Sequence, residues 1–286
     1  MTPQDFDYLR KLLRERSGLV LSAEKQYLAE SRLLPVARRH NLASLGEVVA
    51  KLKEGAAALA IEVTEAMTTN ETFFYRDKMP FDHFRDTVLP ALIVSRAHEK
   101  RIRIWCSAAA TGQEPYSLAM IIKDMGAKLA GFRIDILATD ISDAVLARAK
   151  AGIYSQFEVQ RGLPIQQLVK YFTQVGETWE IAPEIRAMLK FRPINLLKDF
   201  YALGTFDLVF CRNVLIYFDQ ETKISVLNRL ARQMPPDGFL ALGAAETVVG
   251  LTDAFKPMAD RRGLYVPNTA KPVRAGDNVL KFAAKA

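Results

Sequence analysis

Cysteine and histidine are scarce in this chain of 286 residues, which has two of the first and three of the second. Cys106 and Cys211 both fall at the ends of predicted core strands, so we expect buried, unreactive thiols and no disulfide framework. The histidines lack the spacing of metal ligands, and we therefore expect no metal site.

Long apolar runs are also absent. None approaches the roughly 18 residues that a membrane-spanning helix needs, and residues 1–5 do not resemble a signal peptide. We therefore expect a cytoplasmic protein that does not insert into a membrane. The formal net charge of +7 indicates an acidic partner, and nucleic acid, anionic lipid and an acidic protein surface all fit that description.

Two phosphate-binding motifs are missing as well, namely Gly-x-x-x-x-Gly-Lys-Ser/Thr and Gly-x-Gly-x-x-Gly. In their place, a run of small residues at 107–112 joins a predicted strand, 101–105, to a segment with apolar residues at helical spacing. Small side chains let a ligand approach the backbone where a parallel strand ends and a helix begins. The sequence therefore predicts a binding loop at this point.

Two acidic residues follow predicted strands. Glu114 lies at the start of the helix, where it would repel phosphate and attract a cation such as the ammonium or sulfonium of S-adenosylmethionine; alternatively, it only complements the helix dipole. Asp140 ends the next strand, where an acid accepts hydrogen bonds from ribose hydroxyls. Alternatively, Asp140 begins the following helix, a role that Ser142 or Asp143 could equally fill.

Strands and helices alternate along the rest of the chain. Further apolar strands are predicted at 206–211 and 238–243, with a helix between them, and this rhythm predicts a mostly parallel sheet covered on both faces. The first hundred residues differ, because apolar residues there recur at helical spacing and predict a separate helical unit. Its first helix is predicted to end at Ser17, and Ser22 to begin the second.

Three arginines of the second predicted helix, Arg32, Arg38 and Arg39, cluster toward one side. They form either a solvated face or a docking surface for an acidic helix. The segment 68–76 combines hydroxyls, an amide, three aromatics and an arginine without regular periodicity. It is either a ligand-contacting segment or a simple connector between domains.

Five strings of residues, in order along the chain, resemble those of the chemotaxis-receptor glutamate methyltransferases, the CheR family. They lie at 68–76, 109–117, 138–141, 195–197 and 210–218. The string Cys-Arg-Asn-Val-Leu-Ile-Tyr-Phe and the string Thr-Gly-Gln-Glu-Pro-Tyr-Ser are highly specific. One departure lies at 243–246, where many relatives have Gly-x-Ser-Glu and this chain has Gly-Ala-Ala-Glu.

The resemblance implies an α/β fold. An N-terminal all-α helical domain, 1–68, would be joined by an interdomain linker and helix, 69–98, to a Rossmann-like S-adenosylmethionine-dependent methyltransferase domain, 99–267. A small antiparallel β-subdomain, 171–192, would be inserted in the latter, and residues 268–286 would form a flexible tail.

The resemblance also implies roles for individual residues. Residues that would contact S-adenosylmethionine are Asn70, Thr72, Arg76, Glu114, Asp140, Asn195, Leu196, Arg212 and Asn213. Among them, Arg76 suits the carboxylate of the cofactor and Glu114 its amino end. Tyr217 would lie near the methyl-transfer site, as a catalytic hydrogen-bond donor or as a wall of the pocket. Arg32, Arg38 and Arg39 would bind the substrate.

The activity implied is transfer of a methyl group from S-adenosylmethionine to glutamate carboxylates of methyl-accepting chemotaxis receptors, with S-adenosylhomocysteine as product. The partner would be the receptor's cytoplasmic domain, and the chain would act as a monomer. Because the segment 173–190 is shorter than in some relatives, we expect independence from a receptor tail peptide. Two alternatives are a nucleic-acid methyltransferase, which the lack of an Asn/Asp-Pro-Pro-Tyr/Phe string disfavours, and a non-catalytic cofactor-binding adaptor.

Overall fold

The computed structural model of the chain describes residues 1–269. Most of the predicted tail, from residue 270 onward, therefore lies outside the described residues. The helices found within 1–269 are α1 Pro3–Ser17, α2 Gln26–Arg39, α3 Leu45–Lys53, α4 Ala57–Met67, α5 Met79–His83, α6 Leu89–Ser95, α7 Gln113–Met125, α8 Asp143–Ala151, α9 Gln156–Gln160, α10 Ile165–Tyr171, α11 Pro183–Arg186 and α12 Gln220–Arg232.

The first four helices pack around an apolar core of their own, as the separate helical periodicity of this region predicts. Thr2 and Asp5 form a reciprocal capping box at the start of α1, and Gly18 closes that helix in the left-handed conformation. The predicted end of the first helix at Ser17 is thus confirmed. Ser22 precedes a short 3₁₀ turn, Ala23–Lys25, that leads into α2.

A continuous helical stretch connects this bundle to the rest of the chain. It consists of α5, a π-helical turn at Phe84–Val88 and α6. Its apolar face is buried in the larger core, where Phe81, Phe84 and Leu92 are almost fully inaccessible to solvent.

The strands are β1 Arg101–Cys106, β2 Arg133–Asp140, β3 Ile153–Ser155, β4 Phe172–Val175, β5 Thr178–Ile181, β6 Leu189–Pro193, β7 Leu208–Cys211, β8 Phe239–Leu242, β9 Phe255–Pro257 and β10 Leu264–Pro267. Seven of them form one sheet in the order β6-β2-β1-β7-β8-β10-β9. The first five of that order run parallel, and β10 is antiparallel to both of its neighbours. The predicted mostly parallel sheet is confirmed, and apolar clusters cover both of its faces.

A second, small antiparallel sheet has the order β3-β5-β4. The antiparallel subdomain is thus present, but the range 171–192 is wrong at both ends. β3 comes from further upstream, and β6 belongs to the main sheet, where Phe191 lies opposite Ala138 of β2. A strand of three residues, such as β3, is too short to show alternation in the sequence.

The order of the parallel strands places a switch point between β1 and β7, because the chain leaves β1 toward β2 on one side and returns to β7 on the other. In open α/β sheets, ligands bind beside the carboxyl ends of the strands at such a point. Cys106 and Cys211 end these two strands, and burial raises the pKa of both thiols, which agrees with the predicted unreactive role. Within residues 1–269, no helix is long and apolar enough to cross a membrane.

Candidate functional site

A cleft opens at the carboxyl ends of β1, β2 and β7, with an empty volume of about 890 Å³ including its mouth. Its far wall comes from the helical bundle and from the linker that follows α4. All nine predicted cofactor residues and Tyr217 line this one cleft: Asn70, Thr72, Arg76, Glu114, Asp140, Asn195, Leu196, Arg212, Asn213 and Tyr217.

The small-residue loop after β1 forms the floor of the cleft, as Ser107, Ala108 and Ala110 all line it. Ala110 has a left-handed backbone, with φ of 47°, and its N–H donates to Oδ2 of Asp140 over 2.9 Å. Gly112 also has a positive φ, of 94°, and a Cβ there would lie 3.0 Å from the Cβ of Ala149. This loop therefore requires glycine, both for its conformation and for close packing against α8.

Asp140 is buried at the end of β2. Its Oδ1 accepts a hydrogen bond from the N–H of Ser142 over 3.1 Å, so each carboxylate oxygen has a backbone donor. Burial raises the pKa of Asp140, and the backbone N–H groups oppose that rise. Ser142, whose hydroxyl accepts from the N–H of Val145, caps α8. The alternative role for Asp140 as a helix cap is thus filled by Ser142.

Glu114 lies in the first turn of α7, where its buried carboxylate meets Arg212. The Arg212 guanidinium donates from Nη1 to Glu114 Oε2 and from Nη2 to Asp77 Oδ2, each over 2.7 Å. Burial raises the pKa of Glu114, and the neighbouring Arg212 opposes the rise. With two carboxylates around one guanidinium, the cluster carries a net negative charge when both acids are ionised. It can therefore bind a cation in the cleft.

The linker that follows α4 carries Arg76 into the cleft. Arg76 donates to the carbonyl of Glu71 over 2.5 Å, and its own carbonyl accepts from Nη2 of Arg212 over 3.0 Å. Tyr75, Asp77 and Lys78 all have φ between 47° and 66°, an unusual density of left-handed residues outside glycine. Such a segment persists only when its surroundings hold it, and the bonds from Arg212 contribute to that hold.

The three arginines of α2 have different partners. Arg32 donates from Nη1 to the carbonyls of Met67 and Thr68, over 2.7 and 3.0 Å, so it positions the linker. Arg39 forms an exposed ion pair with Glu62, 2.7 Å from Nε to Oε1. Arg38 is exposed and forms no ion pair with any residue in 1–269. Of the three predicted substrate residues, Arg38 alone has all of its donors available.

Asn195 and Leu196 lie in the loop after β6. The side-chain amide of Asn195 donates to the carbonyl of Arg16 over 2.6 Å, and its Oδ1 accepts from the N–H of Leu197 over 2.9 Å. Asn195 therefore joins the loop after β6 to the end of α1. Two further contacts connect the same parts, from the N–H of Val20 to the carbonyl of Tyr217 over 2.9 Å and from Arg14 to Asp219.

Sequence reasoning missed Glu246 and Asp77. Glu246 is buried after β8, and its carboxylate accepts hydrogen bonds from the loop that carries Arg212, Asn213 and Tyr217. The sequence at 243–246 departs from the family string in lacking a serine. The residue that bonds the loop is instead Glu246, an acid that follows an apolar strand. Asp77 gave no signal in the sequence, because its partner is 135 residues away.

The two parts of the chain match two family models. Residues 4–68 match the one described as CheR methyltransferase, all-alpha domain, and residues 70–264 match CheR methyltransferase, SAM binding domain. The chain is also similar to curated proteins over most of their length. It is 42% identical to chemotaxis protein methyltransferase 1 of Pseudomonas aeruginosa, covering 88% of this chain and 93% of the relative.

Two further relatives also match over most of their length. The chain is 37% identical to chemotaxis protein methyltransferase 1 of Vibrio cholerae, over 92% of this chain and 96% of that protein. It is 32% identical to the chemotaxis protein methyltransferase of Borreliella burgdorferi, over 87% of this chain and 90% of that one.

Proposed function

This chain belongs to the CheR methyltransferase family, and we propose that it transfers the methyl group of S-adenosylmethionine to glutamate side chains of chemotaxis receptors. The family match identifies S-adenosylmethionine as its cofactor. The observation that carries the proposal is the bonding of Arg212 to Glu114 and Asp77, because Glu114 and Arg212 both line the cleft.

Each part of the cofactor has a suitable partner in the cleft. Glu114, with Arg212 and Asp77 beside it, suits the positive charges of the ammonium and sulfonium. Asp140, an acid at the end of β2 that lines the cleft, suits the ribose hydroxyls. The remaining residues that we assign to the cofactor are Asn70, Thr72 and Arg76 of the linker, Asn195 and Leu196 beside the adenine, and Asn213 beside the methionine moiety.

The proposed reaction moves one methyl group from the sulfonium sulfur to a carboxylate oxygen, giving S-adenosylhomocysteine and a glutamyl methyl ester, with no net proton transfer. A glutamate has a reference pKa of about 4.3 and is already ionised at neutral pH, so this chain needs no general base. Its residues act by orientation, which can lower a barrier by about 7 to 11 kcal/mol.

Tyr217 is the residue that we assign to the methyl-transfer step. It lines the cleft in the short turn Leu215–Tyr217, and no hydrogen bond to its hydroxyl is formed within residues 1–269. A donor at this place can orient the acceptor carboxylate. Tyr217→Phe should therefore lower kcat, by about 10-fold or more, with little change in the Kd of S-adenosylhomocysteine. An unchanged kcat would reduce Tyr217 to a wall of the cleft.

The acidic, glutamate-rich cytoplasmic helices proposed as substrate complement the net positive charge of the chain. We further propose that the chain acts as a monomer. The proposed function requires no receptor tail peptide on the small β3-β5-β4 sheet.

The decisive experiment combines the purified protein, tritiated S-adenosylmethionine and a receptor cytoplasmic fragment. We expect label that mild base releases as methanol, and loss of that label when the acceptor glutamates are changed to aspartate. A receptor fragment with its acceptor glutamates changed to alanine serves as control. Base-stable label would contradict ester formation. Cofactor binding without any label would favour a binding adaptor, and label on added nucleic acid would favour the other alternative.

A further inference from the structure

Glu246 has an unusual set of partners for a buried carboxylate. It lies after β8 at the same edge of the sheet as the cleft. Within residues 1–269 its carboxylate bonds only to backbone N–H groups and forms no ion pair. The donors are Asn213 at 2.8 Å, Val214 at 2.9 Å, Ile216 at 3.3 Å and Gly243 at 2.7 Å.

Three of these four donors belong to one loop, residues 212–217. The loop leaves β7 with Arg212, which bonds Glu114, and ends with Tyr217 on the wall of the cleft. Asn213 has a φ of 57°, a conformation that a residue with a side chain adopts only when its surroundings impose it. The N–H groups of Asn213, Val214 and Ile216 converge on one position, which the carboxylate of Glu246 occupies.

The local structure is built around this carboxylate. A Cβ at Gly243 would come within 2.7 Å of Glu246 Oε2 and 2.9 Å of Asn213 Nδ2, so glycine is required for the approach. Converging backbone N–H groups form an anion-binding concavity in proteins. In this chain the concavity is filled from within, by an acid 30 to 33 residues further along the chain than its three loop donors.

We propose that Glu246 is a positioning residue for methyl transfer, because its carboxylate fixes the loop 212–217 and so sets where Tyr217 lies in the cleft. This inference rests on the proposed function. Glu246 does not line the cleft itself, so it acts through the loop. Loss of its carboxylate should therefore affect kcat more strongly than cofactor affinity.

The first test is Glu246→Ala, which removes the carboxylate and leaves room for a small anion among the N–H groups. We expect kcat for receptor methylation to fall about 10- to 100-fold, as misplacement of a catalytic group does, with a much smaller change in the Kd of S-adenosylhomocysteine. Added sodium formate should restore much of the lost kcat, and sodium chloride at the same concentration should not. Glu99→Ala, at an exposed residue before β1, should behave as the unaltered protein in both salts.

Glu246→Gln is the matched variant. It keeps the side-chain volume, and its amide NH₂ faces backbone donors with which it cannot bond. We expect a lowered kcat that formate does not restore, since no room is left for the anion. This variant also provides the kcat comparison if Glu246→Ala fails to fold.

Hydrogen–deuterium exchange separates this inference from the proposed function, since it needs no methyl acceptor. Exchange at the amides of Asn213, Val214 and Ile216 should accelerate in both variants, and formate should slow it again in Glu246→Ala only. Unchanged exchange at these amides, or an unchanged kcat, would overturn the positioning role. If the unaltered protein methylates no receptor fragment, the proposed function fails, and exchange alone decides whether Glu246 fixes the loop.

Discussion

β7 has an arginine between two carboxylates at each of its ends. At the amino end, Arg96 lies between Asp207, which precedes the strand, and Asp237. At the carboxyl end, Arg212 follows the strand and lies between Glu114 and Asp77. The residue types are nearly the same, but the two clusters differ in how many of their polar atoms have partners.

The amino-end cluster is saturated. Arg96 bonds Asp207 through Nε and both oxygens of Asp237 through Nη1 and Nη2, all at 2.7 Å. The second oxygen of Asp207 accepts from the N–H of Arg103, also over 2.7 Å. Every carboxylate oxygen thus has a protein partner, and the cluster ties α6, β1 and the turn before β8 together.

The carboxyl-end cluster is open. Glu114 accepts from Arg212 through Oε2 only, and the Nε of Arg212 is buried without a partner within residues 1–269. A buried polar group without a partner costs about 1 to 3 kcal/mol. The cluster whose bonds are complete acts in the fold, and the cluster with bonds to spare lies where we propose that the cofactor binds.

The largest effect should come from breaking the open cluster. Arg212→Ala removes the cation beside buried Glu114 and leaves that carboxylate uncompensated, which costs about 3 to 5 kcal/mol when a buried pair is broken. We expect the free energy of unfolding to fall by about that amount, and calorimetry to find no measurable binding of S-adenosylhomocysteine. Retained binding would show that the cluster does not organise the cofactor site.

Breaking the saturated cluster should lower the stability of the protein without weakening cofactor binding. Arg96→Ala should lower the free energy of unfolding by about 2 to 3 kcal/mol, less than a fully buried pair because Asp237 is half exposed. The Kd of S-adenosylhomocysteine should stay close to that of the unaltered protein, since Arg96 lies at the opposite edge of the sheet. Denaturant unfolding and calorimetry on the same sample test both parts. A large loss of affinity in the folded variant would contradict the distinction.

The affinity for S-adenosylhomocysteine should depend on pH through the ionisation of Glu114 in the open cluster. Burial raises the pKa of Glu114. In the proposed site, only the ionised form of Glu114 would attract the cofactor's cation. As the pH falls through this raised pKa, Glu114 takes up a proton and affinity declines, by about tenfold per pH unit at most for one proton. The decline should begin at a higher pH than an ordinary glutamate would give.

Calorimetric titrations with S-adenosylhomocysteine between pH 7.5 and 5 measure this dependence. Burial raises the pKa of Asp140 as well, so Asp140 contributes in the same direction. Glu114→Gln should bind more weakly at pH 7.5 and show a shallower slope, with the remaining slope due to Asp140. An identical slope in the variant would exclude Glu114 as the titrating group.

The smallest effect is expected for substitutions on α2, where one exposed arginine has a partner and another has none. Arg39 has a partner in Glu62, and Arg38 has none within residues 1–269. Exposed pairs contribute about 0.2 to 1 kcal/mol, so Arg38→Gln should raise the receptor KM by roughly 2- to 5-fold. Arg39→Gln should raise it less, because Arg39 must leave Glu62 to contact the substrate.

Receptor methylation at low and high salt checks this prediction. The difference between the two variants should shrink as salt increases, since exposed charges are screened. Equal KM values for both variants and the unaltered protein would show that this side of α2 is a solvated face that does not bind the substrate.

Local signals in the sequence were sufficient for most of the elements that build the site. The end of α1, the parallel strands, the small-residue loop and the acids after β1 and β2 all depend on periodicity or on positions a few residues apart. β3 was missed because three residues carry no periodic signal. The assignment of Arg32, Arg38 and Arg39 to the substrate stays a prediction. The bonds from Arg32 to the linker were not foreseen, because helical spacing shows which side chains share a side but not what packs on it.

The sequence by itself determined which groups this chain brings to the cleft: a loop of small residues after β1, an acid at the start of the next helix and an acid at the end of β2. Only the tertiary structure decided which of these groups are compensated and which remain open. Arg212 reaches Glu114 across 98 residues and Asp77 across 135, and Glu246 reaches the loop after β7 across about 30. Such contacts form when the parallel strands align their carboxyl ends, and no local pattern encodes them, because the partners are brought together by the fold rather than by their spacing.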